Sequence, residues 1–329
     1  MKNKRGFIIA AGLLFATACH NNQSDQGGNN SSTANANVPA FNADSAYAYT
    51  AKQVAFGPRI PNTPAQESCS AWLISKMKSF ADTVYVQQTT VTGPKAQSLR
   101  CINIIASFNP RAKTRILFLT HWDTRPFADQ DSVNKDKPFD GADDGASGVG
   151  VLLEMARVMK AGKPDIGVDI LLEDVEDYGE EGNDNSWCLG TQYWAKHPHV
   201  PNYHANYGIL LDMVGGKGSQ FYMDQASLQY AGPQAKMVWD LANRLGYSDQ
   251  FRYYNDPKNA VAITDDHVFV NKLTGIPTLD IVALRPDQPE NIFPPWHHTH
   301  GDNMSVIDKR TLRAVGQTML TVIYTNPAY

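Results

Sequence analysis

Acids and histidines in this chain fall where short apolar runs end. Leu119 leads into Thr120-His121-Trp122-Asp123, Leu172 into Glu173-Asp174-Val175-Glu176-Asp177, and Leu211 into Asp212. Two more segments supply the same residue types. Residues 139–148 read Phe-Asp-Gly-Ala-Asp-Asp-Gly-Ala-Ser-Gly, with Asp143 and Asp144 at the centre, and residues 294–300 carry His297, His298 and His300. Carboxylates and imidazoles contributed by separate loops are the donors of a zinc site that keeps a position open for substrate. Calcium would ask for more oxygens and no histidine. A strand end needs no acid in order to fold, so the repetition carries the signal rather than any single residue.

Taken one at a time, these residues have plainer accounts. His121 alone reads as a hydrogen-bonded histidine, Asp143-Asp144 as a helix cap, and residues 173–181 as a solvated acidic loop. The three histidines beside Trp296 read as a polar loop, and Met155 and Met159 as core filling. Gly215-Gly216-Lys217-Gly218 is a turn, because it lacks the spacing of a phosphate-binding loop. No Gly-x-Ser-x-Gly elbow follows a strand, so a serine triad is not indicated.

The elements that must position the acids follow from the apolar runs. Residues 102–106, 115–119, 168–172, 208–211 and 277–282 are short, apolar and bounded by turn residues, as the buried strands of a mostly parallel sheet are. Between them, Val149, Leu152, Leu153 and Ala156 recur on one helix face. Residues 66–81, 237–245 and 309–323 read as further helices. The alternation predicts a single-domain α/β sandwich, a mostly parallel central mixed sheet with helices on both faces. Ligands of such sheets bind beyond the carboxyl ends of the strands, where the acids lie.

The chain divides into three parts. Residues 1–19 have a basic start, an apolar stretch over 6–15 too short to span a bilayer, and small residues before Cys19. This resembles a bacterial lipoprotein signal with Cys19 as the lipidated residue, which implies export and a lipid anchor in the cell envelope. The catalytic domain is then expected in the periplasm. Residues 20–38, rich in Asn, Ser, Gly and Gln, read as a flexible tether. Residues 39–329 form the expected catalytic domain. Its Cys69, Cys101 and Cys188 lack metal-site spacing; an oxidising compartment allows one disulfide and one free thiol, and three separate buried thiols is the preferred reading. A net charge of -4 and the lack of a basic stripe among aromatics exclude nucleic acid as a partner. Membrane contact is expected through the lipid anchor alone.

In order and spacing, His121-x-Asp123, Gly141-Ala142-Asp143-Asp144, Glu176-Asp177, Leu211-Asp212 and His298-Thr299 resemble the M28 zinc aminopeptidase superfamily. Four narrower segments resemble its glutaminyl cyclases: Gly57-Pro58-Arg59-Ile60-Pro61, residues 210–215, Ile263-Thr264-Asp265-Asp266-His267, and residues 293–299. The resemblance runs from about residue 40 to the C-terminus. It implies one zinc per chain held by Asp144, Asp177 and His298. It implies Glu176 as general base and acid, with Asp212 and Asp265 as its hydrogen-bonding partners. Trp187 and Trp296 would line the substrate pocket. Animal cyclases have Glu-Glu where this chain has Glu176-Asp177, and a disulfide where it has Thr120 and Val149. An alternative register would use Glu180-Glu181 as the acid pair. The doubled histidine leaves His297 and His298 as rival ligands; Thr299 and the spacing to Asp302-Asn303 favour His298, which shifts Trp296 by one place.

The activity implied is conversion of an N-terminal glutamine of peptides or proteins to pyroglutamate with loss of ammonia. Two rivals remain at this point. A two-metal aminopeptidase would bridge its metals with Asp144 and use His121 and Asp212 as further ligands. A lipid-anchored peptide-binding protein with an inert site would hold no zinc.

Overall fold

The computed structural model describes residues 38–325. The expected signal with Cys19 and nearly all of the tether lie outside them. Six strands form one mixed sheet in the order β1-β2-β4-β3-β5-β6. They are β1 (Thr83–Thr92), β2 (Ser98–Phe108), β3 (Arg115–His121), β4 (Gly167–Glu173), β5 (Tyr207–Asp212) and β6 (Thr278–Val282). The pairs β4/β3, β3/β5 and β5/β6 are parallel, whereas β1 and β2 add an antiparallel margin. All five expected strands are present. The additional strand is β1, whose Thr- and Gln-rich sequence at the sheet edge has β-branched character but no apolar run.

Among the described residues seven α-helices cover the sheet: α1 (Ala43–Val54), α2 (Pro64–Phe80), α3 (Ala146–Ala161), α4 (Leu189–Lys196), α5 (Gln225–Arg244), α6 (Asp266–Thr274) and α7 (Lys309–Thr325). Alternate residues of the central strands feed two cores. Ile116, Phe118, Val168, Ile170, Ile209 and Leu211 join the larger one with α3, α5 and α7. Leu117, Leu119, Leu171 and Leu210 meet Trp194 of α4 and Val270 of α6 on the other face. Burial of strands on both sides explains their near-continuous apolar sequences.

Helix α3 is buried almost all round, not on one face as its periodicity suggests, because α1 and α7 pack over it. Two glycines permit this. A Cβ at Gly148 would collide with Thr120 Oγ1 and the Leu211 carbonyl of the sheet, and one at Gly150 with Thr50 Oγ1 of α1. At the far end of α3, Tyr324 of α7 donates its hydroxyl to the Gly162 carbonyl. Gln317 of α7 clasps the incoming chain there, donating to the Pro39 carbonyl at 3.2 Å and accepting from Phe41 N at 2.9 Å.

Register brings the chemistry level. His121 pairs opposite Glu173, and Asp212 opposite Val282. Extending the β3/β5 register two places beyond Leu119–Leu210 sets His121 beside Asp212. A Thr120 hydroxyl bond to the Leu211 carbonyl (2.8 Å) locks that edge.

Candidate metal centre and active site

Asp144 ends the loop before α3. Its backbone N and that of Asp143 donate to the two oxygens of buried Asp302 (3.1 and 2.7 Å), which fixes the turn. The Asp144 carboxylate then faces two ways. Oδ1 lies 3.1 Å from His121 Nε2, which is also 3.3 Å from Asp212 Oδ1. Oδ2 lies 3.5 Å from His298 Nε2, and that nitrogen is 3.2 Å from Asp177 Oδ1. Asp177 and Glu176 leave β4 together, and their backbone N–H groups donate to Asp123 at 3.3 and 3.1 Å. The rival pair Glu180-Glu181 is exposed to solvent.

Asp144 Oδ2 and Asp177 Oδ1 are buried and accept no well-aligned hydrogen bond. Two converging, orphaned carboxylate oxygens beside an imidazole nitrogen are costly without a cation and suit a zinc ion. His297 offers a second imidazole, with a ring nitrogen within 4.8 Å of those of Asp144 and His298. It stacks on His298 at 3.7 Å between centroids. His298, unlike His297, is also oriented from behind, by Asp129 Oδ1 at 3.3 Å from its Nδ1.

Glu176, Asp212 and Asp265 line one cavity of about 270 Å³ with Asp144, Asp177 and His298. Asp265 caps α6, its Oδ1 accepting from Asp266 N at 2.6 Å. Burial pushes Glu176 and Asp265 well above the usual carboxyl range, helped by their neighbouring acids. Asp212 is raised by burial against the pull of its His121 hydrogen bond. Burial works upward on Asp144 too, but the hydrogen bond and charge of His121 leave it well below the usual range. His298, although buried, is raised to about 10 by Asp177 and Asp129, whereas burial and His298 push His297 down to about 3.

Trp187 forms one wall of this cavity and stacks on His298 at 6.3 Å and 11°. Trp296 does not line it, contrary to expectation. Its indole packs beside Gly216 and donates to Asp143 Oδ2 at 2.8 Å. His297, Phe293, Ile292 and Ile263 supply the wall instead. Sequence reasoning did not single out Arg125, Asp129 or Asp302 as supports. The first two lie in the irregular loop after β3, where no periodicity marks them.

Several residues that aim this chemistry have left-handed backbone. Val175, Cys188, Met213 and His298 have φ of 57°, 56°, 47° and 53°. Non-glycine residues held there concentrate at functional sites.

Residues 103–323 match peptidase family M28. A Zn-dependent exopeptidase from Parabacteroides distasonis ATCC 8503 is 49% identical with a TM-score of 0.82, over 87% of this chain and 99% of that one. A glutaminyl cyclase from Bacteroides thetaiotaomicron, solved bound to N-acetylhistamine, is 45% identical with a TM-score of 0.82 over the same shares. The glutaminyl-peptide cyclotransferase of Gloydius blomhoffii is 24% identical over 282 residues, 77% of this chain and 73% of that protein.

Proposed function

Because the chain belongs to peptidase family M28, we propose that it works on that zinc-dependent scaffold as a glutaminyl-peptide cyclotransferase. It closes an N-terminal glutamine to pyroglutamate and releases ammonia. The observation that carries the reading is the trio Glu176, Asp212 and Asp265 in one cavity with the metal donors, each with its proton affinity raised. The likeness to solved glutaminyl cyclases across the whole described domain supports it.

Asp144, Asp177 and His298 would hold one zinc per chain, which as a Lewis acid polarises the side-chain carbonyl. The α-amine forms a bond to the side-chain amide carbon, and the bond from that carbon to the amide nitrogen breaks. Glu176 takes the proton that the amine loses and returns it to the leaving nitrogen, so one carboxyl serves both steps. Asp212 and Asp265 share the cavity with Glu176, and Asp265 adds to the burial that raises its proton affinity. Trp187, Phe293 and Ile263 enclose the glutamine side chain and keep bulk water out. The bound geometry makes the attack intramolecular, and proximity supplies part of the rate.

Mass spectrometry of a Gln-Xaa-Xaa peptide tests this: it should lose the mass of one ammonia with its chain intact, and Leu-started peptides should be untouched. Release of free amino acid at a comparable rate would favour hydrolysis, for which His121, Asp144 and Asp212 offer a second donor group. We also propose export and lipid anchoring through Cys19, from the sequence pattern before it. The native N-terminus should carry diacylglycerol on that cysteine; an unmodified Cys19 with cleavage elsewhere would overturn the proposal. Among the described residues no helix is long and apolar enough to cross a membrane.

A further inference from the structure

The groups that hold the proposed zinc donors converge on Arg125, whose side chain is only 2% exposed. Its Nε and Nη2 both donate to Asp129 Oδ2, at 3.0 and 2.6 Å. The other oxygen of Asp129 faces His298 Nδ1 at 3.3 Å. Arg125 Nη1 donates to the carbonyls of Asp177 (3.2 Å) and Gly179 (3.1 Å). The Arg125 backbone N donates to Asp177 Oδ2 at 2.8 Å, which leaves Oδ1 turned toward His298 Nε2. The guanidinium lies between the rings of Phe127 (4.5 Å) and Trp187 (4.7 Å), and Trp187 in turn stacks on His298.

We infer that Arg125 is the positioning residue of the metal centre, selecting the nitrogen of His298 and the oxygen of Asp177 that face zinc. The inference rests on Asp144, Asp177 and His298 as the zinc donors. On the histidine side, an anchored Asp129 faces Nδ1 at 3.3 Å, which favours a proton on Nδ1 and leaves the Nε2 lone pair for the metal. On the carboxylate side, the main chain of Arg125 occupies Oδ2 while its guanidinium draws in the 177–179 segment. One planar, permanently charged fork thus anchors Asp129 and holds the 177–179 backbone, while the main-chain N of the same residue takes Oδ2. Lysine has the charge but a single nitrogen, and cannot reach Asp129 and two carbonyls together.

Three variants of the full-length protein, R125K, R125M and D129N, with the double variant R125K/D129N, test this. Zinc affinity is read by competition with a chromogenic chelator, at a temperature where each zinc-free protein is folded by circular dichroism. R125K and D129N should each bind zinc roughly 10–100-fold more weakly, the range for losing an outer-sphere partner. The double variant should lose less than the product of the two, because Arg125 acts on His298 through Asp129. Cobalt(II)-substituted R125K should show altered visible absorption, which a change in packing alone would not produce. R125K binding zinc as tightly as the parent, with an unchanged cobalt spectrum, would overturn the inference. If R125M does not fold, R125K and D129N decide. A parent protein that takes up no zinc overturns the donor assignment itself. Neither readout uses turnover, so the outcome is independent of which peptide reaction the enzyme performs.

Discussion

Glu176 and Asp177 are adjacent in sequence yet differ in surroundings. Asp177 turns its free oxygen to His298, whereas Glu176 opens into the cavity and meets Cys188 Sγ at 3.5 Å. A residue that carries the proton but does not hold the metal can lose its acidity without emptying the site. Glu176→Gln should therefore keep zinc and fold while kcat falls by roughly 10²–10⁴, the usual range for a general acid–base; zinc loss measured by elemental analysis would reassign it. The cysteines give a second prediction at this scale. Among the described residues Cys69, Cys101 and Cys188 are buried and free, and burial pushes the Cys69 thiol to about 12 and the other two well above their usual range. Ellman's reagent should find them unreactive in the native protein and react with them once guanidinium unfolds it. The acids at the strand ends were legible in sequence because a strand fixes where its last residue points. Trp296 was not, since it sits in a loop that has no period to fix where its side chain points. Arg125 and Asp129 were invisible for the same reason.

Among the elements, those with long apolar faces were readable and those with small or polar contacts were not. Helix α1 buries Ala43, Ala46, Thr50 and Gln53, a stripe without large apolar residues. Helix α5 was legible only in its second half, because Gly232-Pro233 reads as a break; the chain kinks at Ala231 and continues. The glycines of α3 report a contact that periodicity does not. In an open helix, Gly148→Ala would gain about 1 kcal/mol from propensity. Here the new methyl meets the Leu211 backbone carbonyl and the Thr120 Oγ1 that is hydrogen-bonded to it. Overpacking of this kind costs about 1–3 kcal/mol, so the net effect should be destabilising. Thr120 and Leu211 immediately precede His121 and Asp212, so activity should fall as well. A urea midpoint equal to or above the parent's would show that the α3–sheet contact yields more readily than the packing implies.

At the scale of the molecule, the sheet gathers charge at one edge, and its consequence is a pH dependence with a definite sign. In the zinc-free protein His298 is raised to about 10 and His121 well above its usual value by the carboxylates around them. The native state therefore binds more protons than the unfolded chain above about pH 6.5, the ordinary histidine value. That stabilisation is fully present below about 6.5 and is lost as pH rises through the folded values. Zinc takes a neutral imidazole, so the loaded protein should not show the His298 part of this loss. Thermal melts of chelated protein between pH 6.5 and 10 should fall more steeply than those of zinc-loaded protein; parallel curves would remove His298 from the balance.

Helix α3 begins at the metal loop and runs 16 residues, about 24 Å, before it reaches Gly162. Pro39 and Tyr324 both meet the molecule there, one on its way in and the other near the end of the last helix. The two ends of the folded domain thus meet at the end of α3 remote from Asp144. A label attached beside Pro39 or Tyr324 would therefore sit a helix length from Asp144, far enough to leave the proposed donors untouched.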